Sequence, residues 1–148
     1  MIWTPHLTVA AVIERDGKFL MVEEHKNGRT VFNQPAGHVE NQETIHAAII
    51  REVKEETAWD FMPEFIVGVY KWRKQDVDTT YIRVCFAGHV SNHDPEQALD
   101  NGILAANWLS YTDITALDAQ QIRSPMVSTC INDYRHKAKY PLGLITEC

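Results

Sequence analysis

The hydrophobic pattern opens on a run of β-branched and apolar residues, Leu7 to Ile13, as in a buried strand. Asp16-Gly17 predicts a hairpin turn, with Phe19 to Val22 as the returning strand. Asn27-Gly28 is a second turn signal. Val31 to His38 contains Pro35 and Gly37 and predicts a short extended piece running into an irregular loop. A helix is expected from about Ile45 to Glu56, with Thr44 as its N-cap. Two apolar stretches follow, Phe65 to Trp72 and Tyr81 to Val90, separated by the polar segment Arg73 to Thr79 as in a hairpin. Ser91 to Asn101 reads as a polar loop, Leu104 to Leu109 as a short strand and Thr112 to Leu117 as a short helix. Ser124-Pro125 has the pattern of an N-cap followed by a first-turn proline, opening a helix that should run to about Lys137. This order predicts an α/β (α+β) architecture, a mixed sheet with helices packed on it. No repeat, low-complexity tract or linker breaks the pattern, so residues 1–148 are expected to form one domain.

The helix from Ile45 to Glu56 changes the picture. On a wheel of ~100° per residue, Ile45, Ala48, Ile49 and Val53 share one side, and Lys54 points nearly the opposite way. Glu52 and Glu56 do not join Lys54; they lie within ~20° of Ile45 on either side, close to the apolar stripe, with Glu55 at its edge. Spacings of i, i+3 and i+4 bring the three carboxylates onto adjacent turns. Arg51 is the one cation close in sequence, and the wheel turns it ~100° away from Glu52. Desolvation and mutual repulsion push protons onto such carboxylates unless something neutralises them. A hard divalent cation with oxygen ligands does this, and Mg²⁺ or Mn²⁺ also takes phosphate oxygens as further ligands. A Glu-rich helix is ordinarily a solvated face; the wheel position is what argues otherwise here.

Composition and charge sharpen this. The net charge of −6 is unlike that of a general nucleic-acid binder. It also suits an anionic substrate poorly unless a divalent cation intervenes. Cys85, Cys130 and Cys148 are too scattered for a disulfide framework or a metal-ligand spacing, as expected of reduced thiols in a cytoplasmic protein. No signal-peptide pattern and no apolar run of membrane-spanning length is read, so neither a membrane nor a nucleic-acid polymer is expected as partner.

The segment from Gly37 to Trp59, GHVENQETIHAAIIREVKEETAW, resembles the signature box of the Nudix hydrolase family. Gly37, Glu43, Arg51-Glu52, Val53 and Glu55-Glu56 stand in register with it. Two positions depart: Ala58 replaces a glycine and Trp59 an aliphatic residue, both at the helix end where glycine serves as a left-handed cap. Further likeness lies in Asn33 to Glu40, Pro5 to Ala10, Arg123-Ser124-Pro125 and Tyr140-Pro141-Leu142, which are similar to the NudJ-type phosphatase subgroup of that family. The resemblance implies an α/β/α sandwich with a central mixed sheet and helices on both sides. It also implies Mg²⁺-dependent hydrolysis of nucleoside tri- and diphosphates and of thiamine-type pyrophosphates, including hydroxymethylpyrimidine pyrophosphate.

The resemblance also suggests roles. Glu52, Glu55 and Glu56 match the family's metal ligands, with a backbone carbonyl near Gly37 as a further one. Glu52 is favoured as base toward the attacking water, with Glu55 as rival. Glu43 and Arg51 match a supporting ion pair. Asp100, with Glu96 next, is the candidate for an acidic ligand from a distant loop, because Asn107 stands where some relatives carry glutamate. Arg29 and Arg83 are candidates for phosphate contact; Arg83 lies in an apolar strand and needs an anionic partner, whether substrate or protein carboxylate. Trp72, Tyr81 and Phe32 are candidates to stack on a heterocycle, although strand aromatics are more often core. His6 and His38 read as structural. The expected partner is a small pyrophosphate compound, the assembly a monomer or homodimer. Alternatives are another Nudix specificity, such as ADP-ribose or a dinucleoside polyphosphate, and a non-catalytic binding module. The segment from Arg73 to Asp78 lacks the Pro or Tyr that often marks the former two, and the intact box glutamates argue against the last.

Overall fold

Alternation of side chains along the first strand, β1 (His6–Arg15), divides the core in two. In the computed structural model, which describes residues 1–148, Val9, Ala11 and Ile13 enter one buried cluster, and Ala10 and Val12 enter the other. The remaining strands are β2 (Lys18–Lys26), β3 (Arg29–Asn33), β4 (Ala36–His38), β5 (Asp60–Lys74), β6 (Thr79–Ser91) and β7 (Ile103–Ser110). The helices are α1 (Ile45–Thr57), α2 (Tyr111–Thr115) and α3 (Pro125–His136), with a 3₁₀ turn at Leu142–Leu144.

The sheet runs β3-β2-β1-β6-β5, with β4 paired to β1 and β7 paired to β2. β1 and β6 are parallel, in register from His6–Tyr81 to Ile13–Gly88. The other pairings are antiparallel, so the sheet is mixed. Asp16-Gly17 and Asn27-Gly28 make their turns with positive φ throughout, as such pairs do in two-residue hairpins. Helix α1 covers one face through Ala48, Ile49 and Val53. Helix α3 covers the other through Val127, Cys130 and Ile131, joined by Ile114 of α2. The α/β/α arrangement is therefore present. No helix is long and apolar enough to cross a membrane.

Two local expectations are corrected. The piece from Val31 to His38 is two strands, because Ala36 to His38 pairs with Thr8 to Ala10. Ser124 stands at the N-cap of α3 with extended backbone, yet its side chain makes no capping bond.

Ile49 is fully buried between α1 and the sheet. Ile49→Ala should cost about 2–5 kcal/mol, from lost burial and the cavity left behind. Chemical denaturation would measure this, with the m-value unchanged if only stability is altered.

Candidate active site

Helix α1 is fixed at both ends. The Thr44 side chain accepts from the Ala47 N–H at 3.0 Å, as an N-cap should. At the C-terminus Ala58 takes the left-handed conformation, φ 62°, that glycine holds at lower cost, and its N–H donates to the Lys54 carbonyl. The replacement of glycine therefore leaves the cap geometry in place. The loop after β6 closes over the same end: Asp94 N–H donates to the Ala58 carbonyl, and Asp100 N–H donates to the Glu55 carbonyl at 2.8 Å. This brings Asp100, an exposed residue, beside the helix glutamates.

Glu52 and Glu56 are buried, at 7% and 5% exposure, whereas the Glu55 side chain is 42% exposed. The trio is thus two inward carboxylates and one at the rim. The Ala36 N–H of β4 donates to Glu56 Oε1 at 2.8 Å. The Glu52 carboxylate presses against Gly37 so closely that a side-chain carbon there would overlap it. Glycine at 37 is required by this close approach.

Arg51 corrects the wheel argument. Its long side chain bends back, so that Nη1 donates to Glu52 Oε1 at 2.8 Å and to Glu55 Oε2 at 3.1 Å. Nε and Nη2 grip Glu43 at 2.6 and 2.9 Å, and Nη2 also donates to the His38 carbonyl at 3.0 Å. Arg51 therefore ties α1 to the loop that precedes it. Direction on a wheel places a Cβ; it does not limit where a guanidinium on a three-carbon stem arrives.

One guanidinium does not neutralise the cluster. Burial, followed by Glu24, Glu52 and Asp100, pushes the Glu56 carboxyl up to about 9, against the opposing bond from Ala36. Burial, followed by Glu55 and Asp100, pushes Glu52 up to about 7, against the opposing effect of Arg51. Glu43, by contrast, is held below the ordinary carboxylate range by its bond to Arg51. No three acidic, histidine or cysteine side chains form a closed cage in this arrangement, in which Arg51 holds one oxygen each of Glu52 and Glu55. The donor set nonetheless fits a hard divalent cation. It is all oxygen, partly buried and in excess of its counter-charge.

Beside this cluster lies a cavity of about 160 Å³, walled by Ala36, Gly37 and His38 of β4. Trp72, Tyr81 and Arg83 line it, so three of the candidate substrate contacts converge there. Trp72 and Tyr81 are cross-strand partners whose rings stack at 5.7 Å and 19°. Arg29 lies elsewhere, exposed in a neighbouring depression with Lys26, Lys74 and Arg123, its Nη1 on Gln120 at 3.1 Å. Phe32 packs against the α3-side core. Glu96 is exposed, with its N–H on Asp94, and the Asn107 amide donates to Glu23 at 3.1 Å.

Sequence reasoning missed several cavity residues. Glu24 lines the wall and accepts from Arg123 Nε at 3.1 Å; nothing in a single strand carboxylate marks it beforehand. Thr8, Asn33 and Ser124 also line it. His38 lies there too, 3.0 Å from His6 and near Tyr81, with burial first and His6 second pushing its imidazole down.

With this geometry in view, comparison with known proteins decides the family. The NUDIX domain pattern matches residues 4–130. The chain belongs to the Nudix hydrolase family. It is 40% identical over 141 residues to Phosphatase NudJ of Escherichia coli K12, covering 95% of this chain and 90% of that protein. A NUDIX hydrolase from Nitrosomonas europaea superposes with a TM-score of 0.94 at 44% identity, over 98% of each chain. The NUDIX domain of Shewanella oneidensis NrtR, solved with ADP ribose, shares the fold at a TM-score of 0.72 and 18% identity, over 90% of this chain and 88% of that one. The protein is thus a Nudix hydrolase related to a phosphatase.

Two predictions follow from the buried pair. In the folded, metal-free protein Glu56 keeps its proton up to about 9 and Glu52 up to about 7, while the unfolded chain releases both near the ordinary value of 4.5. Between those limits the folded state binds more protons, so rising pH favours unfolding. The melting temperature in EDTA should fall from pH 5 to pH 9. A divalent cation held by these oxygens would compete with their protons, so added Mg²⁺ should raise it by an increment that grows with pH. A flat profile in EDTA would contradict the assignment. Second, Gly37→Ala should displace Glu52 and lower kcat/KM by about tenfold or more, a misplacement effect; unchanged steady-state kinetics would show that the close contact does not matter.

Proposed function

We propose that this Nudix hydrolase is a magnesium-dependent pyrophosphohydrolase and phosphatase acting on nucleoside tri- and diphosphates and thiamine-type pyrophosphates, hydroxymethylpyrimidine pyrophosphate among them. One observation carries the reading: two carboxylates of α1 are buried against the β4 backbone, beside a small cavity lined by aromatic and basic side chains. Kinship with Phosphatase NudJ supports the phosphatase activity.

In this reading Glu52, Glu55 and Glu56, with the Gly37 carbonyl and the Asp100 carboxylate, would hold Mg²⁺, with Mn²⁺ as substitute. A related fold, the bifunctional NMN adenylyltransferase/ADP ribose pyrophosphatase of Francisella tularensis, was solved with AMP and a Mn ion. When bound, such an ion acts as Lewis acid toward phosphoryl oxygens and yields a nucleophilic water near neutral pH. Glu52 accepts the proton of the attacking water, with Glu55 as the alternative base. Arg51 and Glu43 hold the loop that carries Gly37 and His38 against the helix. Trp72 and Tyr81 stack on the organic half, Arg83 contacts the substrate within the cavity, and Arg29 meets an outlying phosphate at the rim. The chain acts as one domain, 1–148, in the cytoplasm, as monomer or homodimer.

Glu56→Gln keeps an acceptor for the Ala36 N–H, so the variant should fold. It should lose about 10²–10⁴-fold in kcat with Mg²⁺. Phosphate release from a panel of pyrophosphate compounds, run beside circular dichroism, tests this; wild-type turnover by a folded Glu56→Gln protein would remove the mechanism.

A further inference from the structure

Four cations, Lys26, Arg29, Lys74 and Arg123, line one depression of about 310 Å³, and no aspartate or glutamate lines it with them. Such a gathering is unexpected in a chain of net charge −6. A charge run along one element is ordinarily a solvated face. Here three pieces of chain far apart in sequence deliver like charges to one hollow. Lys26 and Arg29 face each other across the Asn27-Gly28 turn between β2 and β3. Lys74 ends β5, and Arg123 stands just before α3. Like charges directly opposite on paired strands are unfavourable.

The protein balances little of this charge. Of the four cations, Arg123 alone lies within ion-pairing distance of a carboxylate, Glu24 at 3.1 Å. Arg29 Nη1 donates to Gln120 Oε1 at 3.1 Å, a neutral amide. Arg123, then burial, push the Lys26 ammonium below its usual range against the pull of Glu24, and Lys74 adds to the push. The walls are nonetheless firm. The Arg123 N–H donates to the Phe32 carbonyl at 2.9 Å and the Phe32 N–H to the Gln121 carbonyl at 2.7 Å, so the segment before α3 is tied to β3. The Gln120 N–H donates to Asp118 Oδ1 at 2.8 Å. The hollow is therefore shaped before any ligand arrives, which lowers the cost of binding.

Position gives the depression its role. Arg123 lines it and also lines the cavity that holds Trp72 and Tyr81. That cavity is walled in turn by Ala36 and Gly37, which touch Glu56 and Glu52. The cavity thus adjoins the glutamates through β4 and the basic depression through Arg123. A molecule cut at the glutamates, with its organic half in the cavity, meets the depression with that half.

We infer that the depression is a second phosphate site, and that the preferred substrates carry a phosphate on the organic half, apart from the pyrophosphate that is cut. This rests on the pyrophosphohydrolase reading above, and it places Arg29 on the phosphate that survives the reaction. A phosphate dianion supplies the missing counter-charge, and its oxygens suit the guanidinium forks of Arg29 and Arg123. Lys26 and Lys74 contribute as point charges, so the preference should weaken as salt is raised.

The test is calorimetric binding, without turnover, of adenosine 5′-monophosphate, adenosine 2′,5′-bisphosphate, adenosine 3′,5′-bisphosphate and inorganic phosphate. The wild type should hold at least one bisphosphate about tenfold more tightly than the monophosphate. That ratio should fall to about threefold or less in the double variant Lys26→Gln/Lys74→Gln and persist in Lys26→Arg/Lys74→Arg, which keeps the charge; thermal unfolding checks that both fold. A wild type without the preference would overturn the inference, as would a ratio unchanged by the glutamine pair. Inorganic phosphate bound as tightly as the bisphosphates, and lost in the glutamine pair, would also overturn it, by showing a site for a free anion. With Mg²⁺, kcat/KM for adenosine 3′-phosphate 5′-diphosphate over that for adenosine 5′-diphosphate repeats the comparison in turnover. Failure of the wild type to hydrolyse either compound would strike the pyrophosphohydrolase reading, while the binding ratio still judges the depression.

Discussion

The carboxylates of Glu52 and Glu56 are buried where a helix meets the backbone of a three-residue strand, and much of the structure around them serves to tolerate that burial. A charged carboxylate removed from water is costly unless bonded and balanced. Each receives one bond from the protein, Glu56 from the Ala36 N–H and Glu52 from Arg51. The single guanidinium is shared with Glu43 and Glu55, so its charge is spread over three acids. A divalent cation with free coordination positions can balance what Arg51 cannot, and the raised affinity of both glutamates for protons expresses the same electrostatic deficit. Such a buried, under-balanced pair costs the fold local stability.

The geometry depends on three pieces of chain far apart in sequence. Strand β4 supplies the Ala36 N–H and the bare backbone of Gly37. Helix α1 supplies the carboxylates, set by its core contacts at Ala48, Ile49 and Val53. The loop after β6 supplies Asp100, delivered by a backbone bond to Glu55. Gln97 reinforces this by donating to the Lys54 carbonyl at 2.6 Å. The carbonyls at the end of α1 are thus satisfied by the same loop that carries an acid toward the site.

The elements were legible because their signals are local. Positive-φ turns at Asp16-Gly17 and Asn27-Gly28, the Thr44 cap and the apolar stripe of α1 are each decided by a few neighbouring residues. The burial of Glu52 and Glu56 could be read from the same stripe. What escaped was long-range or depended on side-chain reach. Arg51 bends across its own helix, which a wheel of Cβ directions does not capture. Strand β4 exists through pairing with β1, and its Gly37, after Pro35, reads as irregular without that partner. Glu24 and Ser124 face the cavity from strands and helix ends whose sequence suggests only a surface acid and a cap. Arg83 was conspicuous as a charge in an apolar strand, but its amide partners Asn33 and Gln34 lie in another segment, and no spacing rule connects them.

The alternation of β1 separates two tasks. Val9, Ala11 and Ile13 face α1, whose packing sets the position of the carboxylates. Thr8 and its neighbour Arg83 in β6 face the opposite side, with the cavity and the start of α3. The two sides meet at β4, because Ala36 and Gly37 touch the glutamates and also wall the cavity. A substitution elsewhere in the cavity wall can therefore leave the packing of α1 intact, whereas a change at Gly37 disturbs both. The β4 backbone is what joins the two halves, since it contacts the glutamates on one side and walls the cavity on the other.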